Sequence, residues 1–334
     1  MKRRSEFVSH PLSKDFLAQI NELVAVGEDN ADVTLGSPNP LILVVGAPRS
    51  GTTVLMQWLQ ASGISVPSNI AARFPRNPYF AGLLQRLLSD PALNYRDELT
   101  IPPPDESFRS DYGKTRGPLS PHEFSFYIRR FFPVSVGERL TVEQLKQIDV
   151  AGFLRGLALF GAAVGTPVAL KALLIQYHLE LFADARHVII VHVHRDEADN
   201  VCSLLAHREL VAGDAGEWIS VRPPQYDYLV ELAPVEQVAG QVHFTNREIE
   251  AQLVRFPVER VISLDHEAFC ADPSALHGEL QARLTVMGAT PLPDYTGPAS
   301  FKLARYDRGG ERYRAATGAL QRVARLAASG EFAT

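Results

Sequence analysis

Leu41-Ile42-Leu43-Val44-Val45-Gly46-Ala47-Pro48-Arg49-Ser50-Gly51-Thr52-Thr53 is the stretch on which the fold turns. Its first five residues are apolar without interruption, the pattern of a strand covered on both faces in a parallel sheet. A turn bounded by Gly46 and Gly51 follows directly, and Thr52 to Ala61 then carries a helical pattern. In a strand, turn and helix so joined, the backbone N–H groups of the turn and of the helix N-terminus converge and make a cradle for an anion. A Gly/Ser turn alone would be no more than a tight connection. The GxxxxG spacing, with an arginine and two threonines, favours the cradle.

Outward from this unit lie three further apolar runs, Pro167 to Lys171, His187 to Val193 and Val258 to Leu264. Helical patterns follow them at Ile175 to Phe182, Glu197 to His207 and Ser274 to Met287, the last opened by Asp272-Pro273. Gly156 to Leu170 reads as a buried helix running into a buried strand. The alternation predicts an α/β fold of three layers with a central, mainly parallel sheet, whose ligands sit at the carboxyl edge. Residues from about 64 to 150 break the alternation with Pro and aromatic clusters such as Ile101 to Phe108 and a helix predicted at His122 to Phe132. We read them as an inserted helical cap over that edge, within a single domain spanning 1–334. Val211 to Val235, with Pro223-Pro224 and several aromatics, reads as a second cover or lid.

Composition narrows the function. The 334 residues are 46% hydrophobic and 21% charged, ordinary for a folded globular chain. A formal net charge of -5 argues against a protein that coats nucleic acid, which needs surplus Lys and Arg. Cys202 and Cys270 are too few and too far apart for a disulfide framework or zinc site, which suits a reducing compartment. After Met1-Lys2-Arg3-Arg4-Ser5-Glu6-Phe7 the residues Ser13-Lys14-Asp15 interrupt any signal-peptide core, and the glycine-broken run ending at Leu170 is short of a membrane span. A cytoplasmic location is the expectation.

A Walker A loop would place Lys after the second glycine to reach nucleoside triphosphate, beside a Ser or Thr that holds magnesium. Here that place is Thr52, and the charge comes from Arg49 inside the loop. The segment Ala47 to Thr53, APRSGTT, resembles the 5′-phosphosulfate loop of sulfotransferases that use 3′-phosphoadenosine 5′-phosphosulfate (PAPS), of bacterial type. The resemblance extends to Ala169-Leu170-Lys171, to His194-Arg195-Asp196, to Val261-Ile262-Ser263-Leu264, and to Glu267-Ala268-Phe269 with Ala271-Asp272-Pro273. It implies a P-loop-like sulfotransferase fold with PAPS as donor and no required metal.

The same resemblance assigns roles. Arg49, Ser50, Gly51, Thr52 and Thr53 would hold the 5′-phosphosulfate, and Arg195 with Ser203 the 3′-phosphate; Arg195 paired with Asp196 or Asp199 is the alternative. Lys302, in the loose basic stretch Phe301 to Gly310 with Arg305 and Arg308, would close the nucleotide site or lie in solvent. Where the cytosolic branch has an aromatic for adenine this chain has Val54. Lys171 and Arg49 would stabilise the departing phosphate. Leu173 stands where that branch carries its catalytic His, so the base is sought in the insertion, first at Glu123 and then at His122; both also read simply as residues opening a helix. Arg73, Arg76, Arg129 and Arg130 would meet an acidic or sugar acceptor, or form exposed ion pairs.

The resemblance implies as acceptor a hydroxyl or amine of a small molecule, carbohydrate, lipid or peptide side chain, and the acidic balance predicts no nucleic-acid partner. A P-loop kinase and a non-catalytic nucleotide-binding protein of the same fold stay open as rivals.

Overall fold

The computed structural model describes residues 11–25, 39–93, 98–101, 108, 110 and 113–329. Within it the apolar runs become β1 (Leu41–Val45), β2 (Val168–Lys171), β3 (Val188–His194) and β4 (Val261–Asp265). They form one parallel sheet in the order β2-β1-β3-β4. Leu43 lies opposite Leu170 on one side and Ile190 on the other. Every residue of β1 and β2 is buried, which is why those runs are apolar at each position, whereas the edge strand β4 alternates between buried and accessible. Successive side chains go to opposite faces. Leu41, Leu43, Val45, Leu170 and Ile190 join one core, while Ile42, Val44, Ala169, Val191 and Val193 join another. Burial of each large aliphatic is worth about 1.5–3 kcal/mol, so both faces must be covered.

The helices are α1 (Pro11–Ala25), α2 (Thr52–Ala61), α3 (Pro78–Ser89), α4 (Ser125–Phe131), α5 (Val142–Leu145), α6 (Val150–Val164), α7 (Glu197–Ala212), α8 (Tyr226–Leu229), α9 (Pro234–Leu253), α10 (His266–Ala271), α11 (Pro273–Val286) and α12 (Glu311–Ala328). Residues of α3, α4 and α6 cover the first face through Ala81, Tyr127, Phe153 and Phe160; α2, α10 and α11 cover the second through Trp58, Phe269 and Leu280. A third core holds α7, α9 and α12 together around Val201, Val242 and Val323. The chain goes from β1 to β2 on one side and then to β3 on the other, so the strand order switches beside β1. That switch opens a crevice at the carboxyl edge, where open α/β sheets bind ligands.

The structure departs from the sequence expectation in identifiable places. Ile175 to Phe182 is not an α-helix but a run of turns ending in a 3₁₀ turn, Leu179–Phe182. Nearly all its side chains are buried, so it has no solvent face, and Gln252 replaces helical partners by accepting from Leu179 N at 2.6 Å and donating to Gln176 O at 3.0 Å. The helix predicted from His122 begins only at Ser125, because Phe124 is left-handed with φ 51°. The strand predicted from Val258 begins at Val261, after a 3₁₀ turn. Helices α9 and α12 were not anticipated. Polar Gln237, Gln241, Thr245, Asn246 and Gln252 are buried on α9, which blurs its apolar stripe.

Residues 211–235 form a wall packed against α7 and α9. Arg208 lies 4.6 Å from the Trp218 ring centroid and donates to Gln237 and Gln241, while Gln241 donates to the carbonyls of Ile219 and Val221. Arg222 N donates to Gly137 O at 2.6 Å, tying this wall to the segment before α5. Most of Ile101 to Phe108 and the basic stretch at residues 1–7 lie outside the described residues. Among the described residues no helix is long and apolar enough to cross a membrane.

Candidate active site

The turn after β1 is shaped by its glycines and locked by side chains from other elements. Gly46 runs so close to β3 that a Cβ there would stand 2.4 Å from Val193 O. Gly46 N donates to Gln176 Oε1 at 3.2 Å, and Asn200 Nδ2 donates to Pro48 O at 3.0 Å. Arg49 takes a left-handed conformation, φ 71°, a cost borne by few non-glycine residues outside functional turns. Gly51, φ 108°, is the N-cap of α2 and supplies no side-chain cap, so the first N–H groups of that helix remain directed at the turn. The His266 ring packs where a Gly51 side chain would begin, 2.3 Å from a Cβ built there.

Around this turn the polar groups suit an anion. Among the described residues, Ser50 Oγ and Arg195 Nε are buried without a hydrogen-bond partner. Burial, and then the neighbouring Arg195 guanidinium, hold the Arg49 pKa below its usual value. Two guanidinium groups near enough to oppose one another beside unsatisfied donors are the chemistry of a phosphate site. Ser203 is brought to Arg49, whose Nε donates to Ser203 Oγ at 3.4 Å. Arg195 forms no ion pair with Asp196 or Asp199: Asp196 caps α7 through Asp199 N at 2.8 Å, and Asp199 accepts from Tyr306 N at 2.9 Å. Arg195 instead donates to Ala304 O.

Ala304 belongs to a strap across the site. Phe301 N donates to Cys270 O at 2.7 Å, its ring stacks on Phe269 with centroids 5.5 Å apart, and Arg305 pairs with Glu267 at 2.5 Å. Lys302 and Arg308 point to solvent on this strap. The stretch is therefore held by Phe301, Arg305 and Tyr306, not by Lys302.

Lys171 ends β2 beside the turn. Its Nζ donates to Glu123 Oε1 at 2.8 Å and to Thr53 Oγ1 at 3.3 Å, so it joins the helix start to the carboxylate. Thr52 is buried in the first turn of α2. Glu123 is held by its neighbours: Ser68 bridges Pro121, His122 N donates to Pro67 O at 2.8 Å, and Thr115 Oγ1 donates to Pro121 O at 2.6 Å. Lys171 is buried, while the Glu123 side chain opposite it keeps 44% of its surface open to solvent. Burial pushes its pKa up, but the Lys171 ammonium and its hydrogen bond outweigh burial and hold it below the ordinary value.

His122 stands differently. Its Nδ1 accepts from Phe124 N at 2.9 Å, and burial pushes its pKa down to about 4, so the ring is neutral with its proton on Nε2. Its ring stacks 6.5 Å from Phe126.

The geometry adds residues that sequence motifs passed over. His266 buttresses Gly51, Gln176 and Asn200 fix the turn, and Asp199 anchors the strap. One signal pointed to His266, its place directly after a strand at the carboxyl edge; Gln176 and Asn200 carry none. Among the described residues no group of three or more His, Cys, Asp or Glu is arranged to hold a metal.

Comparison with known proteins bears on the family and the fold. The family described as "Sulfotransferase family" matches residues 40–286. Among solved structures the chain is similar to sulfotransferase STF9 from Mycobacterium avium, with TM-score 0.50, 16% identity, and 96% of this chain and 86% of that one covered. It is also similar to sulfotransferase STF1 from Mycobacterium tuberculosis H37Rv, with TM-score 0.47, 15% identity, and 92% and 80% covered. No curated protein sequence matches.

Proposed function

The chain belongs to the sulfotransferase family, and from that premise we propose that it transfers a sulfuryl group from PAPS to a hydroxyl or amine of a small molecule, carbohydrate or lipid. The observation that carries this reading is Lys171, which bridges the phosphate turn at Thr53 and the carboxylate of Glu123. One cation for the leaving group and one proton acceptor for the nucleophile are what the reaction needs, and here they adjoin. The turn residues Arg49 to Thr53 would hold the 5′-phosphosulfate, with Arg195 and Ser203 on the 3′-phosphate. Lys302, exposed, is the weakest of the assigned donor contacts.

In the proposed reaction the acceptor oxygen or nitrogen bonds to sulfur as the bond between sulfur and the bridging phosphate oxygen breaks. The acceptor proton passes to Glu123, and the bond electrons leave on adenosine 3′,5′-bisphosphate, opposite Lys171 and Arg49. The ion pair tunes this step. An anion set against Lys171 competes for its ammonium, and a carboxylate that loses its cation becomes a stronger base. Glu123 is favoured over His122, whose Nδ1 is already engaged by Phe124 N. Residues 64–150 would act as the acceptor-side cap of a single domain, and the buried free thiols of Cys202 and Cys270 suit a reducing, cytoplasmic setting.

Calorimetry tests the donor. Adenosine 3′,5′-bisphosphate should bind much more tightly than AMP, and Arg195→Ala should erase about 1.5–3 kcal/mol of that difference, the worth of a charge-assisted hydrogen bond. Equal affinity for the two nucleotides would remove the 3′-phosphate assignment and PAPS with it.

A further inference from the structure

Building on the sulfuryl-transfer reading, we propose that the acceptor carries an anionic group beside its reacting hydroxyl or amine, that Arg73 and Lys114 hold that group, and that Phe126 receives an apolar part. The two cations stand on chain segments bound to each other next to Glu123. Asn69 N donates to Ser120 O and Ile70 N to Pro118 O, both at 2.9 Å, and Asn69 Nδ2 donates to the carbonyls of Thr115 and Gly117, both at 2.8 Å. Arg73 closes the 3₁₀ turn Ala71–Arg73 that grows from the first segment, its N–H donating to Ile70 O at 3.0 Å. Lys114 sits on the second, between Thr115, bonded to Pro121, and Gly113. Gly113 faces the phosphate turn: a Cβ built on it would lie 3.7 Å from Thr53 Oγ1 and 3.8 Å from an Arg49 terminal nitrogen.

Hydrogen bonding separates these two residues from Arg129 and Arg130, which are equally exposed. Arg129 donates to the carbonyls of Val134 and Ser135, and Arg130 to Pro75 O, so both are spent on backbone. Arg73 and Lys114 are exposed, and among the described residues neither has a carboxylate partner. Their charges are nonetheless felt beside the ion pair, both at His122 and that of Lys114 at Glu123. Phe126, stacked over His122, leaves 49% of its surface open on the same segment as Glu123. An anionic acceptor would be repelled by the Glu123 carboxylate unless cations offset it, and Arg73 and Lys114 are placed to do so. A neutral acceptor would offer them only uncharged hydrogen-bond partners, about half as strong as an anion's.

The test fills the nucleotide site with adenosine 3′,5′-bisphosphate and titrates three phenols by calorimetry: neutral tyrosol, 4-hydroxyphenylacetate and 4-hydroxybenzenesulfonate. At least one anionic phenol should bind about tenfold tighter than tyrosol, the scale of one charge-assisted contact. Whether the carboxylate or the sulfonate leads tells a carboxylate acceptor from a sulfate- or phosphate-bearing one. The double variant Arg73→Ala/Lys114→Ala should bring both anions to within about twofold of tyrosol, Phe126→Ala should weaken all three alike, and Arg325→Ala on α12 should leave the order unchanged. Equal binding of all three by the wild type, absence of binding included, overturns the proposal, as does an anion advantage that survives the double variant. Nucleotide binding is measured first on the same sample, and the phenols are also titrated without nucleotide. Failure to bind the bisphosphate therefore counts against the donor reading and leaves the anion preference separately readable.

Discussion

Glu123 and Lys171 form one ion pair, so each should be tested through the other. Glu123→Gln keeps the side-chain shape and removes its basicity; it should slow sulfuryl transfer by roughly 100-fold to 10,000-fold. Bisphosphate affinity should not fall, because Lys171 is then released toward the phosphate turn. His122→Ala is the paired variant and should act mainly through lost support of Phe124 N, about 1 kcal/mol of stability. A Gln variant at wild-type rate beside a dead His122 variant would reverse the two assignments. The partner variant, Lys171→Met, removes the charge that depresses Glu123 and leaves burial as the main influence, which pushes the carboxyl up. Carboxyl-carbon NMR should therefore show Glu123 titrating at higher pH in this variant, with turnover down on the order of 100-fold. A Glu123 titration that does not move would dissolve the pair as the functional unit.

The turn and the elements that brace it make the next scale. Gly51 is required twice over, by its φ of 108° and by the His266 ring at the place of a side chain. Gly51→Ala should cost about 1–3 kcal/mol from the backbone alone and more from the clash. Adding His266→Ala should recover only the clash, a coupling readable from urea unfolding of the two single variants and the double. Full recovery would mean that the backbone carries no strain. This brace also marks where sequence reading ended. Strands β1 and β2 and the helix Thr52–Ala61 were legible because their apolar periods are unmixed and the glycine turn lies between them. Lys171, Glu123 and Arg49 were singled out on the resemblance, and the structure sets Lys171 against both Glu123 and Thr53. The pairing of Ser203 with Arg49, the hold of Ala304 on Arg195 and the wedge of His266 depend on contacts between residues more than 100 positions apart. No local pattern encodes them. Helix α9 escaped for a related reason, since its buried glutamines serve as hydrogen-bond partners for distant backbone and so read as surface.

At the scale of the whole molecule, burying neutral histidines makes stability depend on pH in a window that carboxylates do not share. His192, in β3, is held neutral by burial and then by nearby His194, its pKa pushed down to about 4. His266 is likewise pushed down to about 4, by burial and then by Arg195. In the unfolded chain each would take a proton near its ordinary 6.5. Between those values the unfolded state binds more protons than the native one, so stability must fall as pH falls. Each site contributes about 1.4 kcal/mol per pH unit once well inside the window. The depressed carboxylates Glu123 and Glu197 lose their contribution only below about 4.5, and Glu248, raised by burial, opposes the histidines above that point. Urea unfolding between pH 6.5 and 5 therefore isolates the histidines. The wild type should lose stability steadily across that range, and His192→Gln, which keeps a polar side chain without a titrating ring, should flatten the slope by roughly one proton. A wild-type stability that stays level from pH 7 to 5, or a His192→Gln slope equal to the wild type, would mean that these rings take up their protons in the folded chain and that the sheet edge admits water to them.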